Sequence, residues 1–250
     1  MTAATALATM TARRSLTLKR LVGFGLLELA PALIYLLSAA NLRADRALER
    51  AVDTTVALYF PLLLPIVALI IGAGALGDER RDGTMSFIVL RPIPRWIIAG
   101  AKLAGAGAAA VGLNLVGALA LAGAYGVLSG SWHLVVPLAV GSIVATVAYT
   151  ALFVPLGYLS DRAVLLGLGF VFVFENGVAS ALQGVASLSP WRLGIVALAG
   201  LGGSDVVAAL PDVALGDLMP GAWGAIGKVV VLVVVSIGAV TLLLRHRDLA

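Results

Sequence analysis

Residues 55–77 read TVALYFPLLLPIVALIIGAGALG, an apolar run without one charged side chain. A helix needs about 20 apolar residues to cross the roughly 30 Å hydrocarbon core of a bilayer, so this run is long enough to span. Apolar stretches of similar character lie at about 21–40, 102–128, 134–159, 164–180 and 225–244. The whole chain follows the same pattern: 61% of its residues are hydrophobic and 12% charged, with mean hydropathy +1.06. A soluble domain is about 45–50% apolar and about 25% charged. The sequence therefore predicts an all-α, polytopic membrane protein of six transmembrane helices, with residues 1–250 forming a single transmembrane domain.

The arginines and lysines mark the ends of these runs and form no basic patch with interleaved aromatics, so nucleic acid is not an expected partner. Arg13, Arg14, Lys19 and Arg20 ahead of Leu21–Ala40 imitate a signal peptide, but the run is long enough to span and no clean cleavage site follows, so it reads as the first membrane helix. Basic residues concentrate in cytoplasmic loops. With the N-terminus inside, Arg13, Arg14, Lys19, Arg20, Arg80, Arg81, Arg91, Arg95, Lys102, Arg162, Arg245 and Arg247 are cytoplasmic, against Arg43, Arg46, Arg50, Arg192 and Lys228 on the other side. Both termini are thus expected in the cytoplasm. Between 178 and 222, Pro190, Pro211 and Pro220 interrupt a stretch too apolar for a water-filled loop, which suggests a re-entrant or interfacial element before the last helix.

Catalytic and ligand chemistry is sparse. No cysteine is present, which excludes disulfides and thiolate sites, and His133 and His246 both fall at span ends with no second histidine at ligand spacing, so no metal site is expected. Gly227-Lys228 has Ala222 and Val229 where a phosphate-binding loop requires glycine and Ser or Thr, so this chain should not bind ATP itself. No catalytic residue is expected.

Two carboxylates, Glu28 and Glu175, do fall within apolar spans. A charge there costs at least about 2.5–3.5 kcal/mol on insertion scales, so each should face the bundle interior, either as a substrate or proton site or as an interhelical polar anchor. Glu175-Asn176-Gly177 also marks a place where the fifth helix can break, leaving backbone groups for the carboxylate and the amide to satisfy. Gly100, Ala104, Ala108 and Gly112 put small residues on one helical face, where another helix can approach closely. Trp96, Trp191 and Trp223 are expected near the membrane interfaces.

The loop after the second span is the most informative segment. Asp78, Glu79, Arg80, Arg81 and Asp82 carry both signs of charge, Gly83-Thr84 follows, and then come Met85, Phe87, Ile88, Val89 and Leu90. Such a segment can form a short amphipathic helix on the cytoplasmic surface with its ionic residues exposed to a partner. It can equally be an ordinary basic connector.

The full run from Gly77 through Arg91-Pro92-Ile93-Pro94-Arg95 to Lys102 resembles the signature of ABC-2 type transporter permeases: acidic residues before Gly-Thr, an apolar stretch, proline with arginine, and a lysine opening the third span. Arg80 and Arg81 depart from the more acidic pattern common there. The resemblance implies that Asp78, Glu79, Arg80, Arg81, Asp82, Gly83, Thr84 and Phe87 belong to a coupling helix that docks on a separate ATP-binding subunit, which would bind ATP and Mg. It further implies short re-entrant helices on the outer side and a second permease chain. It also places the protein, as a multi-pass exporter subunit, in the bacterial inner membrane. A proton-coupled secondary transporter using Glu28 or Glu175, or a membrane assembly module that transports nothing, are the rival readings of the same residues.

Overall fold

The computed structural model describes residues 2–40, 43–84, 93–178, 189–211 and 221–246, and within them leaves aside the side chains of 44, 45, 176–178 and 246. The described residues are helical with no strand: α1 (Ala3–Ser15), α2 (Leu18–Glu28), α3 (Ala30–Ala39), α4 (Ala44–Thr54), a π-helical stretch Thr55–Leu63, α5 (Leu64–Arg81), α6 (Arg95–Ser129), α7 (Val135–Leu159), α8 (Ala163–Gly169) with a second π-helical stretch Phe170–Val178, α9 (Pro190–Ala209) and α10 (Ala222–His246). Among these residues six helical stretches are long and apolar enough to cross a membrane: Leu18–Ala39, Arg46–Arg81, Arg95–Ser129, Val135–Leu159, Pro190–Ala209 and Ala222–Arg245. The chain is thus an all-α polytopic membrane protein.

Helices run past the ends expected from hydropathy. The second crossing begins in the charged segment before Thr55 and continues without interruption to Arg81. Pro61 lies within its π-helical turn, where a missing backbone N–H and a bulky ring disfavour regular α-helix. The third starts at Arg95, so Lys102 sits two turns inside α6 and is buried.

The tightest seam joins α5 to α7 through residues that lack bulk. A Cβ on Gly157 would lie 2.1 Å from the Ala73 carbonyl oxygen, and one on Gly77 3.0 Å from that of Gly157. Helix α1 packs on α6 by the same device, since a Cβ on Gly105 would lie 2.4 Å from the Ala8 carbonyl oxygen. The stripe singled out in the sequence behaves otherwise: Ala104, Ala108 and Gly112 face outward, and the close approaches to α6 come at Gly105 and Gly117.

The fifth crossing is divided: the apolar helix Ala163–Glu175 is too short to cross alone, and α9, long enough by residue count, is kinked at Gly203, so each serves as a half-helix. Following α7 from its Leu159 end, Phe153 meets Phe170 with ring centroids 6.3 Å apart, Tyr149 meets Glu175, and Gly141 meets Gly194, whose oxygen would lie 2.8 Å from an added Cβ. So 163–175 covers one half of α7 and α9 covers the other. The span expected at 164–180 corresponds to the first half only. Helix α9 then breaks at Gly203, whose φ of 78° favours glycine. The chain returns beside it: Gly221 N–H donates to the Val196 carbonyl at 3.3 Å, and α10 starts there. Trp191, expected at an interface, and Arg192, expected in an outer loop, are both buried where the two half-helices meet. Trp96 and Trp223 are exposed.

Candidate functional site

At one end of the bundle, α5 terminates in a tightly determined structure. Gly83, at φ 67°, gives its N–H to the Arg80 carbonyl at 3.2 Å while Thr84 N–H reaches that of Glu79 at 3.0 Å. This pair of bonds is the Schellman arrangement, which satisfies carbonyls that a helix end would leave orphaned. The Gly-Thr pair therefore punctuates a helix. Arg80 and Arg81 stand in its last turn, where positive charge complements the helix dipole. Asp78–Arg81 are the end of a long helix rather than the start of a separate surface one. Phe87, with the rest of 85–92, lies outside the described residues.

All five charges of the run have partners within the chain. Arg14 pairs with Asp82, Arg81 with Asp78, Arg20 with Asp78 at 3.6 Å and Arg80 with Asp161 at 3.4 Å. Arg80 also donates to the Tyr158 carbonyl at 2.7 Å. Most of these pairs are half exposed, and such pairs contribute about 0–1 kcal/mol each. Lys102 and Glu79 differ: their side chains are 4% and 9% exposed, and the ammonium bonds Glu79 Oε1. The expectation of a fully exposed ionic run does not hold for Glu79, which turns inward because Lys102 is presented by α6 at its level. The convergence joins α5 to α1, α2, α6 and the α7–α8 turn. Thr11, Arg14, Arg20, Asp78, Glu79 and Lys102 border a small cleft there.

Glu175 occupies the junction of the half-helices. Its Oε1 accepts from the Ser189 hydroxyl at 2.7 Å and the Trp191 N–H at 3.2 Å, and its Oε2 accepts from the Tyr149 hydroxyl. A carboxylate at the first turn of α9 meets unpaired N–H groups and the positive end of the helix dipole. Asn176 is helical, with its side chain outside the described set. Glu28, the other intramembrane carboxylate, is fully buried beside Gly117 and Tyr59. Next to it lies a polar layer: Tyr59 donates to the Asn114 carbonyl at 2.5 Å and is 2.8 Å from the Ser142 hydroxyl, and the Asn114 amide reaches Thr146 at 2.8 Å.

Sequence reasoning singled out both carboxylates and the charged run but missed their partners. Asn114, Ser142 and Thr146 were visible as isolated polar residues within apolar runs. Nothing in their spacing showed that they converge. Among the described residues no group of His, Asp and Glu has the makings of a metal site.

A bundle of membrane helices with a charge-paired, glycine-capped helix end on one face is that of a polytopic membrane protein. A family model described as ABC-2 family transporter protein matches residues 6–190, well over half of the chain. The chain belongs to the ABC-2 transporter family and is a membrane permease component of an ABC transporter. No match is found among curated proteins.

Proposed function

We propose that this chain is the permease subunit of an ATP-driven ABC-2 exporter, energised by a separate ATP-binding subunit that holds ATP and Mg and docks on the segment following Gly83-Thr84. The observation that carries this reading is the locked end of α5. A segment leaving this helix end is coupled to α6 through the buried Glu79–Lys102 pair, and more weakly to α1, α2 and the α7–α8 turn through half-exposed ion pairs. Displacement of 84–92 by a partner would therefore act on the whole bundle, so the energy of hydrolysis need not be converted within this chain. In this reading Asp78, Arg80, Arg81 and Asp82 serve docking at the rim, Phe87 supplies an apolar anchor, and Glu79 braces the segment through Lys102.

The basic-residue distribution supports a cytoplasmic position for the charged end and both termini, in the bacterial inner membrane. The divided fifth crossing and the return of the chain at Gly221 support a re-entrant element on the outer side. A second permease chain would complete the transporter. The test is co-expression with the ATP-binding subunit, extraction in mild detergent and purification through a tag on this chain. Recovery of the ATP-binding subunit with ATP hydrolysis supports the reading; a chain that purifies alone and transports on a proton gradient without ATP contradicts it.

A further inference from the structure

The three buried carboxylates of the described bundle are solvated in three different ways. Glu79 has the Lys102 ammonium, and Glu175 has two hydroxyls and a backbone N–H. Glu28 is 0% exposed, and neither of its oxygens has a hydrogen-bond partner among the described residues. From this contrast we infer that Glu28 is an intramembrane proton-binding site. Its carboxyl group is neutral in the closed bundle, and it exchanges its proton only when the first membrane helix separates from α6 at Gly117.

The pocket is made by an absence of side chain. A Cβ on Gly117 would lie 2.1 Å from Glu28 Oε2 and 2.9 Å from both the Glu28 carbonyl oxygen and Tyr59 Cε2, so only glycine leaves room for the carboxyl group. Tyr59 and Asn114 have spent their hydrogens. Tyr59 gives its one proton to the Asn114 carbonyl, so Ser142 must donate to the Tyr59 oxygen. Both amide hydrogens of Asn114 are directed at Thr146 and the Leu64 carbonyl, and Asn114 Oδ1 has no described donor. Tyr59 and Asn114 thus have no hydrogen left for Glu28. A carboxylate there would be a buried charge with two unsatisfied acceptors, a cost that a neutral carboxyl group reduces.

Neighbouring charge does not change this balance. Tyr59 faces Glu28 from the π-helical stretch; Tyr35, on α3, gives its hydroxyl to the Ala47 carbonyl at 3.3 Å. Helix α6 presents Gly117 and Asn114 at this level, and its Lys102 is four turns away and bound to Glu79. Arg50 of α4 reaches Ser38, at the end of α3 away from Glu28. Parting the first helix from α6 would admit water to the carboxyl group and let it ionise, so proton release accompanies separation of this seam. The inference does not depend on the ATP-driven reading, because it concerns one side chain's protonation in the resting bundle.

The test is infrared difference spectroscopy of the intact protein in lipid bilayers at neutral pH, wild type minus Glu28→Gln. The expected loss is the carbonyl stretch of a neutral carboxylic acid, which shifts in D₂O. Glu79→Gln should instead remove the carboxylate bands. Gly117→Ala, which forces the helices apart, should speed deuterium exchange of the acid band and leave that of buried backbone amides in α7 unchanged. In the wild type alone, the acid band should be present and shift in D₂O before any substitution is made. Loss of carboxylate bands in Glu28→Gln, with or without added sodium, would show an ionised group held by an ion or another donor and would overturn the inference, as would an acid band in Gly117→Ala that exchanges no faster than wild type.

Discussion

The backbone N–H of Trp191 lies 3.2 Å from Glu175 Oε1, so the side chain ending one half of the fifth crossing caps the helix that begins the other. The same carboxylate also takes the hydroxyls of Ser189 and Tyr149. This explains an acidic residue in an apolar run without any role in transport: dividing a crossing strands backbone donors inside the membrane, and a carboxylate accepts several at once.

Glu175→Ala should therefore lower stability by about 3 kcal/mol or more, since each buried donor left unpaired costs about 1–3 kcal/mol. Glu175→Gln keeps an acceptor and should cost about 1 kcal/mol while retaining ATP-driven activity. Thermal unfolding in detergent, followed with the activity of the reconstituted complex, checks both. Equal loss of stability in the two variants would show that the carboxylate does not cap α9, and loss of transport in a stable Gln variant would favour proton coupling.

The Glu79–Lys102 pair is buried, and removing one member of such a pair costs about 3–5 kcal/mol because the other charge is left uncompensated. Glu79→Ala should show that loss, and the double variant Glu79→Leu with Lys102→Met should recover most of it. A double-mutant cycle of unfolding free energies measures this. A double variant no better than the single one would mean that the pair does not act as a unit.

Gly157→Ala places a Cβ 2.1 Å from the Ala73 carbonyl oxygen and should cost about 1–3 kcal/mol by overpacking the α5–α7 seam. Gly123→Ala meets nothing within 4 Å and should be neutral or stabilising by about 0.5–1 kcal/mol. Unfolding midpoints of the two variants moving in the same direction would contradict the packing described.

How far the sequence could be read depended on whether a property is local. The uncharged run 55–77 announces a membrane helix because hydropathy sums over neighbours in the chain. The capped end at Gly83-Thr84 was visible as a motif, though its role as a helix stop was not. The burial of Trp191 and Arg192 was not legible because it depends on contacts with residues such as Glu175, which lie on another helix. The small stripe Gly100, Ala104, Ala108, Gly112 was assigned to packing on spacing alone. Gly105 and Gly117 make the close approaches instead, since the partners Ala8 and Glu28 decide which face is used.

The proposed sidedness rests on the distribution of basic residues and can be checked in this cysteine-free chain. Ser131→Cys, in the turn between α6 and α7, should label with an impermeant thiol reagent in intact cells. Ser86→Cys should label only after the membrane is opened. Labelling of Ser86→Cys from outside would invert the topology.

The proposal that the end of α5 leads into the docking segment for an ATP-binding subunit is tested most directly by cross-linking. Thr84→Cys and Ser86→Cys, each carrying a thiol-attached photo-cross-linker, should capture the ATP-binding subunit in membranes with a yield that changes when nucleotide is added, while Ser131→Cys at the opposite end should capture none. Absence of the ATP-binding subunit from the products at both Thr84 and Ser86, in a complex that still hydrolyses ATP, would contradict the account.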